Sequence, residues 1–151
     1  MHSDGHGLSK LCCTTATLVH KPGLAAEGRA ARAEFENIQM NGQEVFKFAV
    51  RAVPQVLDEA LAMGGLTKDD VDWMVLHQAN QRILDSAAER YSFPQDRVIS
   101  NLGEYGNTSA ASIPLALDEA VRGGKIQPGD TLAFAGFGAG LTWASAIAKW
   151  Q

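Results

Sequence analysis

Apolar residues recur at steps of three and four between positions 41 and 63, which is the pattern of a long helix with one buried face. The apolar positions of this face are Val45, Phe48, Ala49, Ala52, Val53, Val56, Leu57, Ala60 and Leu61. Asn41 can cap the helix with Glu44 as its capping-box partner, and the glycine pair at 64–65 can end it. Pro54 lies inside the pattern and predicts a kink.

Shorter apolar runs bounded by turn residues predict strands that alternate with helices. The predicted strands cover residues 11–19, 71–76, 97–100 and 131–135, with a closing antiparallel strand at 141–150. Further helices are predicted at 80–90 and 108–122, a loop at 102–106, and loops or a partly helical connection at 1–10 and 20–37. This order predicts an α/β fold with helices packed on a mixed sheet.

Composition and charge narrow the function classes. The chain has 151 residues, enough for one domain with a sizeable core, and its net charge of −4 gives no overall attraction to nucleic acid. No apolar run approaches the length of a membrane span. The only cysteines, Cys12 and Cys13, are adjacent, which indicates a reducing compartment. They have no metal-ligand spacing with His2, His6 and His20, so no metal site is predicted.

His77 follows the apolar run 71–76 and precedes the helical pattern that begins after Asn80. In open α/β sheets, ligands bind at the carboxyl ends of the strands, where this histidine is predicted to lie. Two interpretations remain open at this point. The ring is either held by hydrogen bonds in a purely structural role, or it acts as a general base or hydrogen-bond donor near neutral pH.

Two further segments follow apolar runs. Asn107, which precedes TSAAS, is either a helix cap or a neutral side-chain donor to a substrate oxygen. The GFGAG segment at 136–140 is either a tight turn between strands or a loop that offers a backbone N–H to an oxyanion. A histidine and an asparagine that donate to one carbonyl would stabilise an enolate without adding a buried charge, which suits carbanion chemistry next to a thioester better than hydrolysis.

Other candidate residues have simpler interpretations. Arg82 and Lys47 lie on helices that begin near these loops, and they either face solvent or contact a phosphate group on a carrier. Trp73, Trp143 and Trp150 are predicted to lie in the core. No G-x-S-x-G nucleophile elbow of a Ser/His hydrolase is present.

Four stretches, MNGQEVFKFAV, LHQANQRI, YGNTSAASIPLALDEAV and GFGAGLTWASAI, together closely resemble the C-terminal half of β-ketoacyl-[acyl-carrier-protein] synthase III, a thiolase-fold condensing enzyme. The resemblance covers essentially the whole chain, is weakest at 11–37, and is most similar to the plastid and cyanobacterial branch. It implies a thiolase-like half-domain truncated at its N-terminus, in the cytoplasm or the plastid stroma. Residues 38–151 would form the condensing-enzyme domain, and residues 1–37 partial first strands and a variable connection.

The resemblance also implies a chemistry. The family uses a Cys-His-Asn triad, and His77 and Asn107 match its histidine and asparagine. In the family these residues hydrogen-bond the malonyl thioester carbonyl, favour decarboxylation and stabilise a carbanion that attacks an acetyl group on the cysteine. The implied substrates are an acyl-CoA and malonyl-[acyl-carrier protein], whose condensation starts fatty acid synthesis. The favoured acyl-CoA is acetyl-CoA. Neither a metal nor a tightly bound cofactor is implied.

The remaining matches concern the walls of the site. Phe137 matches a gating phenylalanine, and Gly138 and Ala139 match the loop that contributes a backbone amide to the oxyanion hole. The positions that line the tunnel for the pantetheine arm are matched by Gly42, Ala79 and Asn80, and a basic residue near the carrier-protein face is matched by Arg82.

The family's nucleophilic cysteine has no match. It lies in the N-terminal half at the head of a buried helix, whereas Cys12 and Cys13 fall in a predicted strand with no helix terminus to lower a thiol pKa. The chain therefore looks like a fragment, a truncated product or one piece of a split enzyme, whose partner is the other half or a second subunit of the homodimeric family. Alone, it is expected to expose an apolar face, to associate or be poorly soluble, and to form no 3-oxoacyl product. The alternatives are a non-catalytic half-module that binds an intact subunit and a fragment of a chalcone-synthase-like polyketide enzyme.

Overall fold

The structure is a computed structural model that describes residues 2–3, 11–12 and 39–151. Its elements in chain order are β1 (His2–Ser3), β2 (Leu11–Cys12), β3 (Gln39–Met40), α1 (Gly42–Gly64), β4 (Trp73–Leu76), α2 (Gln81–Tyr91), α3 (Leu102–Tyr105), α4 (Ser112–Arg122), β5 (Thr131–Gly138) and β6 (Thr142–Lys149). Short 3₁₀ turns at Lys68–Asp70, Gln95–Arg97 and Ser109–Ala111 connect some of them.

Four strands form a mixed sheet in the order β1-β6-β5-β4. β4 and β5 are parallel, whereas β5 and β6 form an antiparallel hairpin and β1 pairs antiparallel with the outer edge of β6. β2 and β3 pair separately as a two-stranded antiparallel sheet. Because helices pack on the larger sheet, the predicted α/β class with a mixed sheet is confirmed.

The long helix α1 matches its prediction closely. Every predicted inward position is buried except Ala60, which is half-buried. Asn41 Oδ1 accepts a hydrogen bond from the Glu44 N–H at 3.2 Å, and Gly65 ends the helix with a φ of 65°. The helix continues through Pro54. The capping and the apolar periodicity together explain why this segment is helical and which side faces the sheet.

Two side-chain contacts tie α1 to its neighbours. The buried Tyr91 hydroxyl of α2 lies 2.9 Å from Pro54 O and 2.7 Å from Asp58 Oδ1, and burial together with the Asp58 hydrogen bond raises the pKa of Tyr91. Ser145 Oγ of β6 donates to Val56 O at 2.6 Å. The helix is therefore fixed both to α2 and to the sheet. The three tryptophans are half-buried and pack against the core rather than within it.

Several predicted boundaries are wrong. The predicted strand at 97–100 is only a single bridge between Val98 and Met74, because the run between the turn at Gln95–Arg97 and Asn101 is too short for successive pairs. The predicted loop at 102–106 contains the one-turn helix α3.

The starts of two other elements also differ from the prediction. The helix predicted at 108–122 begins as a 3₁₀ turn and becomes α-helical only at Ser112, so that Pro114 is its third residue, where no intrahelical donor is needed. His2 and Ser3, predicted to form a loop, pair with β6 as an edge strand.

β5 is longer than predicted. It continues past Ala135 to Gly138, because its last residues still pair with β6, with Phe137 opposite Trp143 and Gly138 opposite Thr142. The turn is correspondingly short, and it uses positive φ values at Gly140 and at the non-glycine Leu141. Of the predicted strand at 11–19, Leu11–Cys12 is a strand, and residues 13–19 and the connection at 20–37 lie outside the described residues. The division into 1–37 and 38–151 stays a prediction.

Candidate active site

His77 sits directly after β4 and is held at both backbone and side chain. Its N–H donates to Ala135 O of β5 at 2.8 Å, which continues the parallel pairing by one residue. Its Nδ1 lies 2.6 Å from the Oγ of Ser112, at the first turn of α4. The histidine is therefore fixed at the carboxyl end of β4, where the sequence pattern predicts it.

Gln78 fixes the turn that follows His77. Its side chain is fully buried, its Nε2 donates to Leu76 O at 2.7 Å and to Ile99 O at 3.2 Å, and its Oε1 accepts from the Asn101 N–H at 3.3 Å. These bonds satisfy three backbone groups in two segments, the end of β4 and the loop before α3. Because a buried polar side chain needs such partners, Gln78 orders the strand end on which His77 is mounted.

The ring of His77 is half-buried beside an aromatic cluster. The ring centroids of His77 and Phe137 are 5.3 Å apart in an edge-to-face arrangement, and Phe137 also meets Phe48 edge to face at 6.2 Å. Burial lowers the pKa of His77 below its ordinary value, so the ring is neutral at neutral pH. A neutral imidazole can donate one hydrogen bond and accept another.

Asn107 lies on an exposed loop between α3 and the turn Ser109–Ala111. Its Oδ1 accepts a hydrogen bond from the Ser109 N–H at 2.9 Å. Both Gly106 and Ser109 have positive φ values, 65° and 55°, which give the loop a tight bend. The capping interpretation is therefore satisfied by the oxygen alone, and the Nδ2 amide has no hydrogen-bond partner within residues 39–151, which leaves it available as a donor.

One cavity of about 710 Å³ brings most of the predicted site residues together. Eight of the nine line it, namely His77, Asn107, Phe137, Gly138, Ala139, Gly42, Ala79 and Asn80. Much of the remaining wall is apolar, from Met40, Val45, Phe46, Ile83 and Ile113. The carboxyl end of β4, the β5–β6 turn and the start of α1 therefore meet at one concave surface. The individual roles of these residues stay predictions.

The two candidate cations differ in position. Arg82, the ninth predicted residue, does not line the cavity, and its guanidinium carbon lies 4.7 Å from the ring centroid of Phe46, which does. Lys47 is exposed and forms a hydrogen bond of 3.3 Å with Glu44. Arg82 thus lies over the ring of Phe46 without lining the cavity itself, and Lys47 faces solvent.

Sequence reasoning missed two polar residues that carry the site. Ser112 is buried and contacts both the His77 ring and, at 3.2 Å, the Gln78 N–H, and Gln78 is itself fully buried. The available signal was weak: each polar residue adjoins an apolar segment, but burial of Ser and Gln is not visible in a single sequence.

The described ranges were compared with the features of a metal site and of a membrane-spanning helix. Residues 2–3, 11–12 and 39–151 contain no group of three or more His, Cys, Asp or Glu side chains suited to a metal ion. His2 instead pairs with Glu59 at 2.6 Å and stacks on Trp143, while His6, His20 and Cys13 lie outside the described residues. No helix in the part of the chain that the structure describes is long and apolar enough to cross a membrane.

Comparison with known proteins identifies close relatives. The chain is 60% identical to beta-ketoacyl-[acyl-carrier-protein] synthase III of Thermosynechococcus vestitus, with 100% of this chain and 45% of the relative covered. It is 53% identical to the chloroplastic enzyme of that name from Arabidopsis thaliana, with 100% and 39% covered. The chain therefore spans less than half the length of these relatives.

Solved structures give the same result at the level of the fold. The crystal structure of beta-ketoacyl-[acyl carrier protein] synthase III from Thermus thermophilus matches with a TM-score of 0.84 and 45% identity, over 99% of this chain and 44% of that chain. The predicted thiolase-like fold is thereby confirmed. Residues 61–150 match the family described as 3-Oxoacyl-[acyl-carrier-protein (ACP)] synthase III C terminal. On these grounds the chain belongs to the 3-oxoacyl-[acyl-carrier-protein] synthase III family.

Proposed function

We propose that the chain supplies the carbanion-stabilising part of the active site of a 3-oxoacyl-[acyl-carrier-protein] synthase III. The observation that carries this proposal is that a half-buried, neutral His77 and an Asn107 with a free amide line the same cavity. Two neutral donors on one oxygen stabilise a developing negative charge without adding a buried positive charge. The membership of the chain in this family supports the same reaction.

The proposed reaction is a decarboxylative condensation. The bond between the malonyl α-carbon and its carboxylate breaks, carbon dioxide leaves, and the electron pair moves onto the thioester as an enolate. His77 and Asn107 donate hydrogen bonds to the enolate oxygen. The α-carbon then attacks an acyl thioester, and a tetrahedral oxyanion forms that a backbone amide of the Gly138–Ala139 turn can stabilise. Collapse releases the thiolate and leaves a 3-oxoacyl carrier.

The nucleophilic thiol of this reaction is not assigned to either cysteine of the chain. Cys12 lies in the two-residue strand β2, paired with Gln39, and Cys13 lies outside the described residues. We propose that the thiol comes from the amino-terminal half of the complete enzyme or from a second subunit. The isolated chain is then expected to form no 3-oxoacyl product from acetyl-CoA and malonyl-[acyl-carrier protein].

The cavity suits the proposed substrates. Its wall near Gly42, Ala79 and Asn80 is built from small or short side chains, which leaves room for a pantetheine arm. Arg82, on the outer side of Phe46, can attract the phosphate or the acidic surface of a carrier protein. No metal and no tightly bound cofactor enter the proposed steps. The sources of the relatives favour a cyanobacterial cytoplasm or a plastid stroma.

A chimera tests the proposal. This chain would replace the matching C-terminal part of the Thermosynechococcus vestitus enzyme, and 3-oxoacyl-carrier protein would be measured from radiolabelled acetyl-CoA and malonyl-carrier protein. The proposal predicts product from the chimera and its loss in a His77→Ala variant. A folded chimera that binds malonyl-carrier protein but forms no product would contradict the proposal and would favour a non-catalytic module.

A further inference from the structure

Ser112 stands between the backbone of Gln78 and the ring of His77. Its Oγ lies 2.6 Å from His77 Nδ1 and 3.2 Å from the Gln78 backbone N, and its side chain is 1% exposed. We propose that Ser112 is a positioning residue, which fixes His77 in the tautomer that carries its proton on Nε2 and presents that Nε2–H to the cavity.

The number of donors and acceptors around the Ser112 oxygen indicates that its hydroxyl donates to His77 Nδ1. The Gln78 N–H can only donate, so it uses one lone pair of the Ser112 oxygen. Within the part of the chain that the structure describes, Nδ1 of His77 is the one other hydrogen-bond partner of that oxygen. If Nδ1 carried the proton, the buried Ser112 hydroxyl hydrogen would have no acceptor, which is an unfavourable arrangement. The hydroxyl therefore donates to Nδ1, and Nδ1 carries no proton.

The protonation of His77 Nε2 follows from that of Nδ1. A neutral imidazole carries a single N–H, so an unprotonated Nδ1 requires a protonated Nε2. Nε2 has no hydrogen-bond partner among residues 39–151, and His77 lines the cavity. The free Nε2–H is thus oriented as a donor toward bound substrate, in the protonation state that the proposed enolate stabilisation needs.

The support behind Ser112 is itself rigid. The Gln78 backbone N–H is held in place because the Gln78 side chain is anchored to Leu76 O and Ile99 O. The resulting chain of donors runs from Gln78 through Ser112 to His77. Neither Gln78 nor Ser112 needs to touch substrate for this chain to determine which nitrogen of His77 can donate.

Nitrogen NMR of the full 151-residue chain tests the tautomer directly. Histidine with labelled ring nitrogens would be incorporated, spectra recorded at neutral to mildly alkaline pH on sedimented protein, and the His77 signals assigned with a His77→Gln variant. The inference predicts an unprotonated Nδ1 and a protonated Nε2 in the wild type. It predicts a mixture of tautomers in Ser112→Ala, and the wild-type state in Ser112→Thr and in the neighbouring Ser109→Ala.

Two results would overturn the inference. One is a protonated Nδ1 in the wild type, and this measurement does not depend on the folding of any variant. The other is a folded Ser112→Ala chain whose His77 keeps the wild-type tautomer.

The catalytic consequence rests on the proposed function and has a separate readout. In the active chimera, Ser112→Ala should lower kcat for malonyl decarboxylation by at least about tenfold, by analogy with the loss of a partner that orients a metal-bound histidine. Ser112→Thr should restore most of it, and KM should change little. An inactive chimera with the expected tautomer would contradict the proposed function alone, whereas an active chimera with a protonated Nδ1 would contradict only the role of Ser112.

Discussion

His77 and Asn107 face one cavity from supports of opposite kinds. His77 follows β4, its ring is half-buried, and strand pairing, Ser112 and Phe137 all fix it. Asn107 is exposed, lies on a bent loop, and is anchored by one hydrogen bond from the Ser109 N–H. The difference teaches that one member of the pair packs against the core while the other is mounted on the surface.

This asymmetry has an energetic consequence. Substitutions around His77 should disturb the free energy of unfolding as well as the chemistry, because they remove buried contacts and hydrogen bonds. Substitutions at Asn107 should affect the chemistry almost alone, because exposed residues contribute little to stability. The four predictions below separate the two effects.

The largest effect is expected for Asn107→Asp. The aspartate keeps an oxygen that accepts from the Ser109 N–H, so the loop is retained, but it loses the amide donor and adds a charge that repels an enolate. In the chimera we expect the condensation rate to fall by about a hundredfold to a thousandfold. The free energy of unfolding of the chain, measured in urea, should change by less than about 0.5 kcal/mol.

Asn41→Asp is the matched control for that substitution. Asn41 is also an exposed cap whose Oδ1 accepts from a backbone N–H, so the same change of charge occurs at a comparable position. Its condensation rate should stay near that of the unmodified chimera. Equal losses in the two variants would mean that added charge, and not the lost amide donor, explains the effect.

The second prediction concerns the buried support of His77. Gln78→Ala removes three hydrogen bonds and leaves a void below the strand end, so it should destabilise the chain by about 3 kcal/mol. Gln81→Ala, at an exposed position three residues on, should change the free energy of unfolding by less than about 0.5 kcal/mol. Urea denaturation followed by circular dichroism measures both. Similar values for the two variants would refute a structural role for Gln78.

The third prediction is a pH dependence. Burial lowers the pKa of His77 in the folded chain below its unfolded value of about 6.5. As the pH falls below that value, the unfolded chain takes up this proton first, so stability is lost toward acid and is fully present above it. The difference in unfolding free energy between the wild type and His77→Gln should therefore decrease as the pH is lowered from about 7 to about 5. A difference that stays constant or grows would contradict a desolvated ring.

The smallest effect is expected at the outer wall of the cavity. Arg82→Ala removes the contact of the guanidinium with Phe46, which is worth about 0.5–1 kcal/mol at an exposed site. The change in the urea midpoint should be correspondingly small, and it should exceed that of Arg51→Ala, an exposed arginine on α1. No difference between the two variants would mean that the contact of Arg82 with Phe46 contributes nothing to stability and that Arg82 is only a surface charge.

The sequence predicted the local features well because their causes are local. The periodicity and caps of α1 specify a helix without help from the rest of the chain, and the apolar run before His77 specifies a strand. Boundaries failed where distant pairing decides them: β5 extends to Gly138 only because β6 returns beside it, and the run at 97–100 has no room for a full strand.

The site was predicted in part for the same reason. His77 and Asn107 are visible as polar residues after apolar runs, and the family resemblance indicated the lining positions. Ser112 and Gln78 could not be found, because their burial depends on how α4 and the loop before α3 pack on the end of β4. Nor could sequence reveal that Arg82 lies behind Phe46 and outside the cavity wall.

The central claim is that His77 and Asn107 act on the same oxygen, and a double-mutant cycle measures this most directly. Malonyl decarboxylation would be followed in the chimera with His77→Ala, Asn107→Asp and both changes together. If the two donors share one enolate oxygen, the double variant should lose little more activity than the worse single variant, because residues that act as a unit are strongly non-additive. Losses that multiply, or a single variant with the unmodified rate, would contradict a shared oxygen.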